Sequence, residues 1–266
     1  MRAVEVEHEH PHMGANSRRR AAIAAITSIY MREMRAYFYT PLAYVFIAVF
    51  LLSLGAFTFE IGRFFDTNRA DLAPFFFFHP WLYLVFLPAV SMRLWAEEIR
   101  SGTLELLLTL PTPVWALTVG KFLAAWTVAG VALFFTVPMW MTVNYLGDPD
   151  NEAIALGYLM SFLMAGGYVA LSSALSALAG NQVVAFVIAV TVGFVFTVTG
   201  LPLVASGLSD LFGPAISDGA RVFSFLTHFE AAQRGVLEIR SVFFYVGFIG
   251  LWLALNTLWI SQRRAG

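Results

Sequence analysis

The sequence from Trp95 to Pro111 reads Trp-Ala-Glu-Glu-Ile-Arg-Ser-Gly-Thr-Leu-Glu-Leu-Leu-Leu-Thr-Leu-Pro. This segment, named the elbow below, is charged, rich in helix-forming residues, and lies between two long apolar runs, 72–92 and 122–147. Because the chain on each side is apolar enough to enter a membrane, the elbow is expected at a membrane surface, where another molecule can reach it. We therefore predict that the fold is organised around this segment.

The composition of the chain indicates a membrane protein. Of its 266 residues, 59% are hydrophobic and only 12% are charged, and the mean hydropathy is +0.74. Soluble proteins carry about 25% charged residues, and a soluble domain could not bury this much apolar surface. The net charge of -1 gives no indication of a nucleic-acid partner. With 0 cysteines, the chain has no disulfide framework, thiolate nucleophile or cysteine-based metal site.

Charge-free runs predict about six transmembrane helices, because about 20 apolar residues are enough to cross the hydrocarbon core. Residues 153–209 carry no charge, and a single helix of that length would measure roughly 85 Å. We therefore predict two spans there, with a turn at Gly180-Asn181-Gln182 and a break near Gly200-Leu201-Pro202. The other predicted spans are 36–59, 72–92, 122–147 and 241–262.

The predicted fold is an all-α membrane protein with three parts. Residues 1–17 form a disordered tail rich in His and Glu, residues 18–40 an amphipathic interfacial helix, and residues 41–264 the six-span domain. The apolar stripe of the interfacial helix is predicted to contain Ile23, Ile26, Tyr30, Met34 and Tyr37. Residues 207–240 mix charged and aromatic residues, which indicates short amphipathic helices at the opposite surface. If both termini are cytoplasmic, most of the 16 basic residues lie inside, as the positive-inside rule requires.

Gly102 is predicted to divide the elbow into two short helices. Residues 95–100 continue the second span out of the membrane, and Thr103 is expected to cap the helix that follows, with Glu105 in its first turn. Pro111 and Pro113 bound that helix. The simpler alternative is a solvated loop with a surface helix.

Residues 92–111 closely resemble the signature of ABC type-2 permeases, in particular the branch that includes gliding-motility and sodium-efflux subunits. The most specific part is the Glu-Glu-x-Arg-x-Gly-Thr-x-Glu core at 97–105. Weaker matches extend the resemblance over 31–264. They are Thr40-Pro41, Phe78-His79-Pro80-Trp81, Gly120-Lys121-Phe122, Asn144-Tyr145-Leu146-Gly147-Asp148, Phe225-Leu226-Thr227-His228-Phe229-Glu230 and Arg234-Gly235-Val236.

The resemblance implies a permease of the type V exporter kind in the bacterial inner membrane, with both termini cytoplasmic. Such a permease pairs with a second permease subunit, identical or different, and with two cytosolic ATPase subunits; an accessory membrane or periplasmic subunit can join them. ATP and magnesium then bind to the ATPases, and this chain binds no cofactor. The elbow corresponds to the coupling helix, 18–40 to a connecting helix and 207–240 to external re-entrant helices. The ATPase-docking residues implied by the resemblance are Glu97, Glu98, Arg100, Gly102, Thr103 and Glu105.

Enzymatic chemistry is not indicated. The Gly120-Lys121 pair lacks the remainder of a phosphate-binding loop, so the chain is not expected to hydrolyse ATP. No Gly-x-Ser-x-Gly motif occurs in the sequence. The letters His-Glu-His-Pro-His at 8–12 match His-Glu-x-x-His, but they lie in the predicted disordered tail and include Pro11, so a helical zinc site is not predicted. We interpret His79 as an interfacial packing residue and Lys121 as a side chain that snorkels to the headgroups. Ser172, Ser173 and Ser176 are interpreted as helix-packing residues.

These observations predict the membrane subunit of an ATP-driven exporter that works by alternating access. The alternative is a membrane scaffold that anchors a motility or secretion assembly without transporting anything. A secondary carrier is disfavoured because no carboxylate lies in the middle of a predicted span. The substrate is not indicated by the sequence.

Overall fold

The computed structural model describes residues 15–66, 70–109 and 112–265, and these residues contain helices and no strand. The predicted all-α fold is therefore confirmed, while the predicted tail at 1–17 lies mostly outside the described residues. A π-helical turn, Phe57–Ile61, extends α2. The helices are α1 (Ala15–Tyr39), α2 (Leu42–Ala56), α3 (Ala73–Phe77), α4 (His79–Ser91), α5 (Arg93–Ser101), α6 (Thr103–Leu108), α7 (Val114–Phe134), α8 (Val137–Leu146), α9 (Asn151–Leu178), α10 (Gln182–Val198), α11 (Pro202–Phe212), α12 (Pro214–Val222), α13 (Phe225–Gln233) and α14 (Ile239–Ala265).

Within the described residues, four helical stretches are long and apolar enough to cross a membrane. They are Leu42–Ile61, Val114–Leu146, Asn151–Leu178 and Ile239–Arg263. The pair α10 and α11 adds a fifth if the two helices, which meet at 83°, form one broken span. The predicted second span is divided into α3, with 5 residues, and α4, with 13 residues. The predicted number of six spans is therefore not confirmed.

Helix α9 is the centre of the bundle, and α4, α7, α10, α13 and α14 pack around it. Its buried surface consists largely of Ala, Gly and Ser, which lets large neighbouring rings approach the helix axis. At Gly157, for example, an added Cβ would lie 2.6 Å from the Phe76 ring. Small residues on α9 therefore allow the other helices to pack close to it.

The two predicted interruptions of the 153–209 run are present. α9 ends at Leu178, and the Asn181 side chain accepts a hydrogen bond from the Val183 N–H at 2.7 Å, which caps α10. α10 ends at Val198, and the chain bends by 83° before Pro202 starts α11. The charge-free run thus folds back on itself where its polar and helix-breaking residues lie.

Helix α1 packs along α7. Its buried residues recur every four positions, at Ala25, Ile29, Glu33 and Tyr37. Ile23 of the predicted apolar stripe is exposed, whereas Glu33, which is not part of that stripe, is 8% exposed. The face of α1 that packs on α7 therefore includes an acidic residue.

The segment 207–240 contains short helices, as expected. The His228 ring links them to α14: Nε2 lies 2.8 Å from the Val222 carbonyl and Nδ1 lies 3.0 Å from Ser241 Oγ. The ring also stacks on Phe244, with centroids 4.0 Å apart. Burial lowers the pKa of His228 below its ordinary value, so the neutral ring is favoured.

The close packing of α1 on α7 predicts opposite effects for two glycine substitutions. In Gly120→Ala the new Cβ would meet Ile29 at 2.9 Å, and overpacking of this kind costs about 1–3 kcal/mol. In Gly250→Ala the Cβ would enter open space, and the helix gains about 1 kcal/mol in propensity. Thermal unfolding in detergent should show a lower Tm for Gly120→Ala and an equal or higher Tm for Gly250→Ala. Equal changes in Tm for the two variants would contradict the close packing of Gly120 against Ile29.

Candidate functional site

The elbow has the two-helix form that the sequence predicted. α5 ends at Ser101, Gly102 adopts φ 70° and ψ 6°, and α6 starts at Thr103. This left-handed conformation favours glycine, since a side chain would be strained there. The prediction that Thr103 caps α6 was wrong. Gly102 occupies the cap position, and the Thr103 hydroxyl lies 2.9 Å from Ser101 Oγ.

The elbow presents one face to the bundle and the other to solvent. On α5 the buried residues are Leu94, Trp95 and Ala96, and on α6 they are Leu104, Leu107 and Leu108. Leu106 differs from its neighbours because 69% of its surface is exposed. The exposed set consists of Glu97, Arg100, Ser101, Gly102, Thr103, Glu105, Leu106 and Thr109. Leu110 and Pro111 lie outside the described residues.

Four charged side chains, named the ion cluster, join the elbow to α1 and α7: Arg32, Glu33, Glu98 and Lys121. Lys121 Nζ donates to Glu33 Oε1 at 3.0 Å, to Glu98 Oε1 at 2.9 Å and to the Leu94 carbonyl at 2.7 Å. Arg32 Nη2 donates to the same two carboxylate oxygens at 2.7 Å and 2.9 Å. The cluster contains two positive and two negative charges, so it is neutral as a whole.

The prediction that Lys121 snorkels to the headgroups was wrong. Its side chain is 1% exposed, and its ammonium group lies 5.0 Å from the centre of the Trp95 ring. Two carboxylates and a carbonyl replace the water that the ammonium group would otherwise need, which is what makes a buried lysine tolerable. The sequence pattern could not show this, because Glu33 and Glu98 are distant from Lys121 in the chain.

The placement of the six predicted docking residues divides them into two groups. Glu97, Arg100, Gly102, Thr103 and Glu105 are exposed. Glu98 points toward the bundle, because consecutive helical residues are about 100° apart around the helix axis. Its carboxylate binds Lys121 and Arg32.

Electrostatics favours the charged form of Glu33. Burial alone would raise the pKa of the Glu33 carboxyl, but Lys121 and Arg32 beside it hold that pKa below its ordinary value. Next to the cluster, the Arg93 guanidinium lies over the Tyr37 ring, 4.4 Å from its centroid. Buried Tyr37 in turn donates to the Val90 carbonyl at 2.9 Å, which ties α1 to the end of α4.

Ser176 on α9 holds the break between α4 and α5. Its hydroxyl oxygen accepts hydrogen bonds from the backbone N–H groups of Trp95, at 3.2 Å, and Ala96, at 3.1 Å. The same hydroxyl donates to the Met92 carbonyl at 2.6 Å. Ser176 thereby supplies a hydrogen-bond acceptor to N–H groups in the first turn of α5, which have no partner within the helix. The sequence indicated helix packing for this serine but gave no signal for the capping role.

A groove of about 450 Å³ separates α1 from the elbow. Charged and hydroxyl side chains line it, and the ion cluster forms its floor. Its wall residues beyond that cluster are Ala36, Tyr39, Thr40, Arg93, Leu94, Glu97, Ser101 and Thr103. The groove therefore extends the exposed surface of the elbow onto α1.

Two other predictions concern chemistry inside the bundle. His79 is fully buried, with Nδ1 2.8 Å from Ser161 Oγ, and Tyr83 OH is 2.8 Å from the same oxygen. This placement agrees with a packing role between α4 and α9, but the ring lies in the core and not at its edge. Among the described residues, no group of three or more His, Cys, Asp or Glu side chains could hold a metal ion.

Removing only the Lys121 charge from the ion cluster should be more damaging than removing the charges of Lys121, Glu33 and Glu98 together. Lys121→Met leaves two carboxylates without their buried partner, a change that typically costs about 3–5 kcal/mol. The matched triple variant Lys121→Met, Glu33→Gln, Glu98→Gln leaves no buried charge, and Arg32, with a side chain 48% exposed, can be solvated. Thermal unfolding should give the lowest Tm for the single variant, whereas a lower Tm for the triple variant would contradict this account.

The lowered pKa of Glu33 predicts how stability changes with pH. A carboxyl whose pKa is depressed by folding stabilises the protein above its unfolded pKa, and this contribution is lost as the pH falls through the folded value. The Tm difference between the natural chain and Glu33→Gln should therefore be largest near neutral pH and shrink below pH 4.5, the ordinary pKa of this group. A Tm difference that stayed constant from pH 7 to pH 3 would show that the charge of Glu33 does not contribute to the stability of the fold.

Residues 67–258 match the family described as ABC-2 family transporter protein. The matched region includes the elbow, Lys121 and Ser176, whereas α1 and α2 precede it. Curated proteins gave no match to the chain. Because the family match covers more than half of the residues and the helices are apolar enough for a multi-pass membrane protein, the chain belongs to the ABC-2 family of transporter proteins.

Proposed function

We propose that the chain couples ATP hydrolysis in separate cytosolic ATPase subunits to alternating access across the membrane, and that it works as an exporter. Family membership establishes the coarser role, a transmembrane permease component of an ABC transporter. The observation that carries the proposal is the two-sided elbow: its outer face is free, while the ion cluster and Ser176 tie its inner face to three other helices.

The proposed ATPase contact consists of Glu97, Arg100, Gly102, Thr103 and Glu105, with Leu106 added. An exposed leucine ringed by charged and hydroxyl groups has the form of a docking surface with an apolar anchor and a polar rim. Glu98 has a different role, because its carboxylate faces the ion cluster. Of the six predicted docking residues, Glu98 therefore does not touch the ATPase in this proposal. Its role is to pass movement of the elbow to the bundle.

Movement of the elbow would reach the bundle by three routes. Lys121 links Glu98 to α7, and Ser176 links the start of α5 to α9. Ala96 packs with Ala179 and Ala185, which lie at the turn into α10. Because packed helices transmit strain instead of absorbing it, a push on α5 displaces α7, α9 and α10 together.

The proposed assembly contains two such permease subunits, identical or different, and two ATPases that bind ATP and magnesium. Its place is the bacterial inner membrane, with both termini in the cytoplasm. Two observations support this orientation. The ion cluster puts α1 on the same side of the bundle as the elbow, and most basic residues then lie on that side.

Reversing charges on the outer face should release the ATPase and leave the fold intact. In the variant Glu97→Lys, Arg100→Glu, Leu106→Asp, all three changes are at exposed positions, so Tm should change little. Binding of the ATPase that co-purifies with the natural chain should fall at least tenfold, since hot-spot losses exceed about 2 kcal/mol. Glu60→Lys, exposed at the other end of α2, is the matched control and should bind normally.

Two results of this experiment would contradict the proposal. Normal ATPase binding by the triple variant would place the contact elsewhere on the chain. Assembly of a stable complex whose formation requires no ATPase, and which does not stimulate ATP hydrolysis, would favour the scaffold role.

A further inference from the structure

A groove runs between α2 on one side and α7 and α8 on the other, at the end of α2 opposite the elbow. Its wider part is a cavity of about 240 Å³, lined on α2 by Leu51, Gly55 and Thr58 and across from them by Phe135, Thr136 and Met139. A separate, narrower cleft of about 20 Å³ lies nearer the elbow between α2, α4 and α7, where Ile47, Phe86 and Ala129 line it. The walls that α2, α7 and α8 contribute belong to candidate membrane spans.

The wider cavity and the narrower cleft, together named the α2–α7 groove, lie along one face of α2 over a distance close to the thickness of one bilayer leaflet. The lining residues on the α2 side recur at spacings of one, three and four and thus share one helix face. They are Ile47, Leu51, Leu54, Gly55 and Thr58. From Ile47 to Thr58 the helix rises about 16 Å, roughly half of the 30 Å hydrocarbon core. The lining is uncharged over this whole distance.

Small residues leave the groove open. A Cβ added to Gly55 would find no heavy atom within 4 Å, although this glycine lies inside the apolar helix α2. On the facing wall, Ala129 and Ala132 provide no side chain long enough to cross the cleft. The volume of the wider part is below the 300–1,000 Å³ of pockets for drug-sized ligands, so one thin apolar chain suits it better than a bulky molecule.

A buried hydroxyl marks the outer end of the groove. Thr58 lies in the π-helical turn at 57–61, is 1% exposed, and its Oγ1 has no hydrogen-bond partner among the described residues. A helical threonine can donate to the carbonyl four residues earlier, but Thr58 Oγ1 makes no such hydrogen bond. An unpaired buried polar group is costly, so an acceptor atom from a ligand would be favoured at this position. π-helical turns frequently occur at functional sites.

We propose that the α2–α7 groove binds one acyl chain of a membrane phospholipid, with the ester carbonyl oxygen accepting a hydrogen bond from Thr58. Hydrocarbon chains are the molecules present at this depth, and the apolar walls match them. Thr58 lies one helical turn before the span ends at Ile61, where the hydrocarbon core gives way to the ester groups. The site does not depend on the proposed coupling to an ATPase.

Photolabelling tests this site. The full chain is reconstituted into phosphatidylcholine bilayers that contain a phosphatidylcholine with a photoactivatable group near the carbonyl end of one acyl chain, and labelled peptides are identified by mass spectrometry. Labelling of peptides covering 51–59 and 135–139 should exceed that of the exposed face of α14 at least fivefold. In Gly55→Leu the new side chain fills the groove, and labelling there should fall at least fivefold.

Two further variants make the test specific. Gly247→Leu, at a position on α14 with equally open surroundings, should leave labelling of the groove unchanged. Thr58→Val keeps the volume but removes the donor, so labelling should fall about two- to tenfold, as expected for one hydrogen bond. This nearly isosteric variant also keeps the test decisive if Gly55→Leu folds poorly.

The proposal is overturned by either of two outcomes. Equal labelling of the groove and α14, unaffected by Gly55→Leu, would show that lipid contacts the groove only as part of the general lipid layer. Cross-linking of the groove residues to a second copy of the chain in place of lipid would show that a protein surface covers it.

Discussion

The elbow depends on the buried ammonium group of Lys121. A lysine with 1% exposure is stable only if nearby acceptors replace its lost hydration, and here Glu33, Glu98 and the Leu94 carbonyl do so. Each acceptor belongs to a different part of the chain from Lys121 itself. The requirement to satisfy one charge therefore fixes α1, α5 and α7 relative to one another.

This constraint explains why the elbow has two different faces. Glu98 and the buried leucines belong to the bundle, whereas Glu97, Arg100 and Glu105 are exposed. Gly102 ends α5 and precedes α6 in a left-handed conformation, φ 70°, in which a side chain would be strained. Ser176 adds a second fixed point at the α4–α5 break. A segment held at several points on one side can pass force inward without unfolding.

Local sequence patterns predicted the parts of this fold that depend on local chemistry. The turn at Gly180-Asn181-Gln182, the break at Gly200-Leu201-Pro202 and the division at Gly102 follow from residues that cap, bend or terminate helices in any context. The patterns failed where contacts between distant residues decide the outcome. Lys121 was expected at the headgroups, and Glu33 was not included in the apolar stripe of α1, because the contact between the two joins residues far apart in the chain. Likewise, Gly102 and not Thr103 occupies the cap position of α6. The predicted count of six spans is not confirmed, because the run 72–92 divides into α3 and α4.

The most direct measurement of the central claim is a cryo-electron microscopy structure of the chain with its ATPase, determined with and without nucleotide. We expect the ATPase to contact the exposed face of the elbow in both states. The hydrogen bonds of Lys121 to Glu98 and of Ser176 to α5 should persist while the elbow, α1 and α7 move as one body. A structure in which the elbow moves alone, with Glu98 separated from Lys121, or in which no protein contacts the elbow, would contradict the account.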